Sequence, residues 1–144
     1  MFDLKTTVLL PIDMQCGFDL GDSPAKRWNK QAATNAGEIL EAVRKLGMTI
    51  IHVRHDSIDP KSTLRPGQPC NIFFPECQPR ENETIVRKSV NSAFIGTDLD
   101  LRLRRLNTSH IITFGITTDQ CVSTTIRIGS NMGWNFTLVE DACD

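Results

Sequence analysis

An α/β fold, with a parallel sheet covered on both faces, is the class this sequence predicts. Short apolar runs alternate with stretches of helical period, the pattern of strands joined by crossover helices. The runs are almost wholly apolar, as strands buried on both faces must be. A third observation places the chemistry. Asp13, His55, Lys88, Cys121 and Asp141 each follow such a run. All five therefore fall at the carboxyl edge of the sheet, where ligands bind in open α/β folds.

The elements follow in order. Thr6 to Ile12 reads as a buried strand ending at Asp13, with Pro11 near its end, where a missing ladder bond is tolerable. Ser23-Pro24 predicts a helix start, with serine as cap and proline at the first helical position. Ala32, Ala36, Ile39, Leu40, Val43 and Leu46 keep helical spacing, and Gly47 closes that helix. Met48 to Val53 is the second strand. His55 to Glu83 has no period and is rich in Pro, Asn and Gln, which suits a lid, a binding loop or a disordered insert. Thr84 to Arg87 is the third strand, leading to Lys88. Gly96-Thr97-Asp98 opens a helix with Leu99, Leu103 and Leu106 on one face. His110 to Phe114 is the fourth strand, Thr118 to Met132 a helix stopped by Gly133, and Asn135 to Val139 the fifth strand.

Composition bounds the function. A chain of 144 residues suits a single domain spanning 1–144 with a core that needs no disulfide staples. Apolar content of 40% and charged content of 23% are those of an ordinary globular protein, and a net charge of −1 offers nothing to nucleic acid or an anionic membrane. No secretory leader and no membrane span is expected. The five cysteines are odd in number and scattered, which argues against a disulfide framework and for reduced thiols in the cytoplasm. Cys70 and Cys77 fit no zinc spacing.

The richest stretch is Gly115-Ile116-Thr117-Thr118-Asp119-Gln120-Cys121-Val122. It places Cys121 in the first turn of a helix at the end of a strand. The free N–H groups and positive end of that helix are expected to lower the thiol pKa and to hold an oxyanion. Asp13 can serve as general base, and the Lys88 ammonium can stabilise the thiolate and keep Asp13 ionised. Oxyanion donors would be the N–H of Cys121 and that of Thr117 or Thr118. Plainer readings stand beside these: Asp13 as a turn residue, Lys88 as a solvated lysine, Cys121 as a small core residue. Gln15, Phe18 and Phe94 are candidate pocket residues, the two aromatics equally candidates for the core. Arg54 and Arg127 are candidates to pair a substrate carboxylate or to form surface ion pairs. His55 is a candidate substrate contact. Cys16, three residues after Asp13, falls near the same edge.

Four blocks also resemble one family. They are Leu9-Leu10-Pro11-Ile12-Asp13-Met14-Gln15 with Phe18; Val86-Arg87-Lys88 followed by Ser92-Ala93-Phe94 and Gly96-Thr97; the Gly115–Val122 stretch with Thr125 and Arg127; and Val139-Glu140-Asp141-Ala142. In this order they resemble the isochorismatase-like cysteine hydrolases, the superfamily of nicotinamidases, N-carbamoylsarcosine amidohydrolases and ureidoacrylate amidohydrolases. The resemblance implies a three-layer, Rossmann-like sandwich with sheet order 3-2-1-4-5-6, in which strands one and four are neighbours and Asp13 comes near Cys121. It implies Asp13 as base, Lys88 as electrostatic partner, Cys121 as nucleophile, and a cis peptide between Ile116 and Thr117.

Two departures qualify that picture. Metal-dependent nicotinamidases carry Asp-x-His after the second strand; here the stretch is His52-Val53-Arg54-His55-Asp56-Ser57. His52 and His55 are expected to face opposite sides, so neither a metal nor another cofactor is expected. The sequence also stops at Asp144, where family members continue with a helix and a sixth strand. The expected sheet is therefore 3-2-1-4-5, with strand five an exposed edge that favours a homo-oligomer. The function expected is hydrolysis of a C–N bond in a small amide or carbamoyl substrate through a thioester. The alternative is an impaired member acting as a binding or assembly module.

Overall fold

A computed structural model describes residues 3–19 and 27–144. Five parallel strands form one sheet: β1 (Thr7–Ile12), β2 (Thr49–His55), β3 (Thr84–Lys88), β4 (His110–Gly115) and β5 (Phe136–Leu138), in the order β3-β2-β1-β4-β5. The flanking helices are α1 (Ala32–Lys45), α2 (Leu99–Arg105) and α3 (Ser123–Asn131).

β1 is central, and all six of its residues are buried. Leu9, Leu10 and Ile12 join Ile111 and Phe114 of β4 among the most deeply enclosed side chains. Each such side chain stabilises the fold by roughly 1.5–3 kcal/mol. Pro11 sits one residue from the end of β1, opposite Phe114, and the ladder closes past it because Ile116 N–H donates to Ile12 O. α1 packs through Ala32, Ala33, Ala36, Gly37, Leu40 and Val43, an apolar stripe whose alanines and glycine let the helix come close.

Several expectations are corrected. Ser23-Pro24 lies outside the described residues, and α1 begins only at Ala32, after turns at 30–31. β2 runs two residues further than expected because its pairing with β3 continues through Arg54↔Arg87 and His55↔Lys88. His55 and Lys88 are thus the last residues of neighbouring strands and not loop residues. The 55–83 segment is not a free lid. Asn71, Phe73, Phe74 and Cys77 within it are buried, and Phe73 bridges Gln15. Leu106 caps α2 and is exposed instead of lying on its buried face. β5 is a short, half-exposed edge strand, with Leu138 at 41% exposure. The helix expected from Thr118 opens with a π turn, Thr118–Val122, before α3.

One polar cluster ties α1 to the sheet. Arg44 grips Glu83 with two parallel bonds, Nε to Oε1 at 2.7 Å and Nη2 to Oε2 at 2.8 Å, and His52 Nε2 lies 2.8 Å from Oε2. The Arg80 N–H adds a fourth bond at 2.9 Å. Burial alone would raise the Glu83 carboxyl, but its bonds with Arg44, the Arg80 N–H and His52 outweigh that and hold it at about 2. A depressed carboxylate stabilises the fold fully above its unfolded value of 4.5, and the contribution is lost as pH falls through about 2. Glu83→Gln is expected to cost about 2 kcal/mol at pH 7, the worth of charge-assisted hydrogen bonds. In urea unfolding, the gap between variant and parent should close as pH approaches 2.

Candidate active site

Asp13 leaves the end of β1 in a left-handed conformation, φ 52°, which aspartate tolerates better than most residues. Its N–H donates to Val53 O at 3.0 Å and its C=O accepts from Gln15 N–H at 2.7 Å. That turn aims the carboxylate into the protein, where it is fully buried.

Lys88, at the end of β3, is also buried and fills the space beside that carboxylate. Its Nζ lies 2.6 Å from Asp13 Oδ2, 2.9 Å from His55 Nδ1 and 3.4 Å from Cys121 Sγ. An ammonium has three protons, and three acceptors surround this one. Burial raises the Asp13 carboxyl to about 6 despite Lys88, whose charge and hydrogen bond pull the other way. Burial, then the Lys88 charge, push the His55 imidazole down to about 4, so it is neutral near pH 7.

Cys121 is reached by a tight path from β4. Gly115 has φ 153°, and a Cβ there would lie 2.0 Å from Ile12 O, so only glycine lets β4 pass this close to the end of β1. The Ile116–Thr117 peptide is cis. In the π turn that follows, Val122 N–H donates to Thr117 O at 3.2 Å, one residue wider than an α-helical bond. The expected depression of the thiol pKa is overturned. Burial pushes Cys121 up to about 12, the Asp13 charge adds to this, and Lys88 only partly opposes it. The physical reason is that desolvation acts on the whole side chain and the neighbouring Asp13 charge also disfavours the thiolate. Cys121 therefore rests as a protonated thiol between the Asp13 carboxyl and the Lys88 ammonium.

The other expected site residues divide. Gln15 is spent on backbone: its Oε1 accepts from His55 N–H at 2.8 Å, and its Nε2 donates to His55 O at 3.1 Å and to Asn71 O at 3.4 Å. Arg54 Nε donates to Asp56 at 2.9 Å and its Nη2 donates to Asn71 Oδ1, so an ion pair and an amide take the guanidinium expected for a substrate carboxylate. Phe94 packs on α3, where a Cβ on Gly129 would meet its ring at 2.7 Å. Arg127 is exposed on α3. Cys16 points its thiol at Phe73 O, 3.5 Å away. Thr118 N–H donates to Asp144 O at 2.8 Å, which leaves Thr117 and Cys121 as the oxyanion candidates. Phe18 lines a cleft of about 670 Å³ with Trp28, Ile116, Thr117, Gln120 and Leu138; Asp13, Lys88 and Cys121 do not line it, although Gln120 adjoins Cys121 in the chain.

Two residues escaped the sequence reading. Asn91 Oδ1 lies 3.9 Å from the Cys121 thiol; its position three residues after Lys88 was the available signal. Buried Asn71 donates to His55 O at 3.0 Å and Leu64 O at 2.6 Å, and nothing in a segment without period marks it. Asp13, His55 and Cys121 also offer metal-ligand atoms all within 4.8 Å of one another. The Lys88 ammonium already lies among them, so an ion would have to displace it.

A parallel sheet of this order, with acid, ammonium and thiol gathered where its central strands end, defines a Rossmann-like α/β protein with a cysteine-centred site. The sequence pattern of the Isochorismatase domain matches residues 7–144, and the chain belongs to that family of hydrolases. It is 36% identical over 138 residues to the uncharacterised isochorismatase family protein YrdC of Bacillus subtilis, covering 93% of this chain and 71% of that protein. A crystal structure of an isochorismatase-family protein from Chromobacterium violaceum superposes with a TM-score of 0.91 at 41% identity, over 99% of this chain and 73% of the other. The ureidoacrylate amidohydrolase RutB of Acinetobacter baylyi is 32% identical over 68 residues, 47% of this chain and 28% of RutB.

Gly115→Ala is expected to cost about 3 kcal/mol or to prevent folding, because the new Cβ can be housed only by moving β1 away from β4. Thermal unfolding followed by circular dichroism measures it; an unchanged midpoint would contradict the close approach. Iodoacetamide labelling of Cys121, followed by peptide mass, should still be accelerating above pH 9, where an ordinary thiol of pKa ~8.5 levels off.

Proposed function

We propose that the chain is a cysteine-dependent hydrolase that cleaves a C–N bond of a small amide or carbamoyl substrate through a thioester. The single observation that carries this reading is the buried Lys88 ammonium in contact with both Asp13 and Cys121. The partial match to an amidohydrolase supports the substrate class.

In this reading Asp13 takes the S–H proton as sulfur attacks the carbonyl carbon. A thiol held near 12 is a poor nucleophile alone, so deprotonation has to accompany attack. A carboxylate lifted to about 6 suits that task better than an ordinary one, because its proton affinity lies nearer neutral pH. Lys88 offsets the negative charge passing from carboxylate to sulfur. Backbone N–H groups of Thr117 and Cys121 receive the oxyanion. Protonated Asp13 then gives its proton to the leaving amine or ammonia. With Asp13 again ionised, it draws a proton from water, water adds to the thioester, and the acid leaves with the thiol regenerated.

Two further readings go with this one. One is a homo-oligomer, the assembly that the family resemblance implies. Placement in the cytoplasm rests on five free thiols. Among the described residues, no helix is long and apolar enough to cross a membrane.

Incubation with a panel of amides and carbamoyl compounds, read by intact mass and product release, tests the proposal. An acyl adduct on Cys121 is expected, and Cys121→Ala should lower kcat/KM by about a thousandfold or more. Full turnover by that variant would sink the mechanism. Because the base must be ionised, kcat/KM should rise with pH through an apparent pKa of about 6.

A further inference from the structure

We infer that His55 is a positioning residue for Lys88: it takes one ammonium proton on Nδ1 and so directs the other two at Asp13 and Cys121. The inference rests on the proposed role of the Asp13–Lys88–Cys121 cluster and adds a fourth member that acts through Lys88.

His55 and Lys88 are register partners on adjacent parallel strands, so their side chains leave the same face side by side. Nδ1 lies 2.9 Å from Nζ. An ammonium has no lone pair, so the bond runs from Nζ–H to Nδ1, and the imidazole proton must be on Nε2. An acceptor is what the third ammonium proton needs in a site closed to solvent. A neutral acceptor meets the need without a second negative charge, which would compete with Asp13 for the cation.

The support of His55 is itself unusual. Fully buried Gln15 bonds both the N–H and the C=O of His55, and Asn71 donates to the same C=O. Two buried amides thus fix the backbone of the one strand-end residue whose side chain touches Lys88. Groups that face Lys88 come from every neighbouring element: Asp13 after β1, His55 on β2, and Cys121 in the π turn. Asp56 stands next to them and bears on both Asp13 and His55.

With a loosened ammonium, the thiol loses the interaction that lowers its pKa. Iodoacetamide alkylation of Cys121 at pH 8 reads this directly and needs no substrate. His55→Leu should slow alkylation about tenfold, the effect of one lost charge-assisted hydrogen bond, and shift its pH profile to higher pH. His55→Asn, whose side-chain oxygen can occupy the place of Nδ1, should recover a rate within about threefold of the parent. His55→Gln, which carries its oxygen further out, should remain slow. If His55→Leu fails to fold, the contrast between the Asn and Gln variants decides. Parental rates and profiles in all variants, or equal slowing by Asn and Gln, would overturn the inference. The hydrolase proposal stands or falls separately, on acyl-adduct formation and on turnover by Cys121→Ala.

Discussion

Everything at the carboxyl edge depends on one buried cation. Lys88 lies within hydrogen-bonding reach of a carboxylate, an imidazole nitrogen and a thiol, with its side chain and that of Asp13 both closed to solvent. Two charges in such a place cost several kcal/mol each in lost hydration, and the ion pair recovers only part of it. The Asp13 carboxyl reports the balance: with an ammonium 2.6 Å away its pKa still stands above the ordinary value of 3.8. Desolvation wins over pairing here, and the surrounding fold has to hold the groups together.

The sheet supplies that support. β1 lies between β2 and β4, so Asp13 has one neighbouring strand leading to His55 and another leading to Cys121. β3 brings Lys88 beside His55 by strict register. The remaining gap is closed by Gly115, where the chain passes against the carbonyl of Ile12. Behind this edge the Arg44–Glu83–His52 cluster fastens α1 to β2, and the segment after β2 packs down through Phe73 and Phe74. Polar groups that looked like ligands for a substrate, Gln15 and Arg54, serve this scaffolding instead.

An electrostatic consequence follows for chemistry. The thiol is disfavoured as an anion and the carboxylate is disfavoured as well, and both rest beside a cation that relieves either one. A proton moving from sulfur to Asp13 leaves the total charge of the cluster unchanged. In the proposed reaction Lys88 stays in contact with the negative charge at both ends of the transfer, so little has to be rearranged when a bond forms at sulfur.

Sequence by itself determined the sheet, its helices and the set of residues that share its carboxyl edge. Apolar runs alternating with helical stretches point to a sheet of crossover-linked strands, and residues that follow such strands share an edge; the family motifs then singled out Asp13, Lys88 and Cys121 among them. The family motifs added strand order, which spacing alone leaves open. Tertiary structure decided the rest. Whether Gln15 meets a ligand or the backbone of His55 depends on residues 40 positions apart in the chain. Whether the 55–83 segment hangs free or packs depends on Asn71 and Phe73 finding partners on other elements. The state of the Cys121 thiol also reversed, because a helix start is a local feature visible in sequence, while desolvation is a property of everything packed around the group.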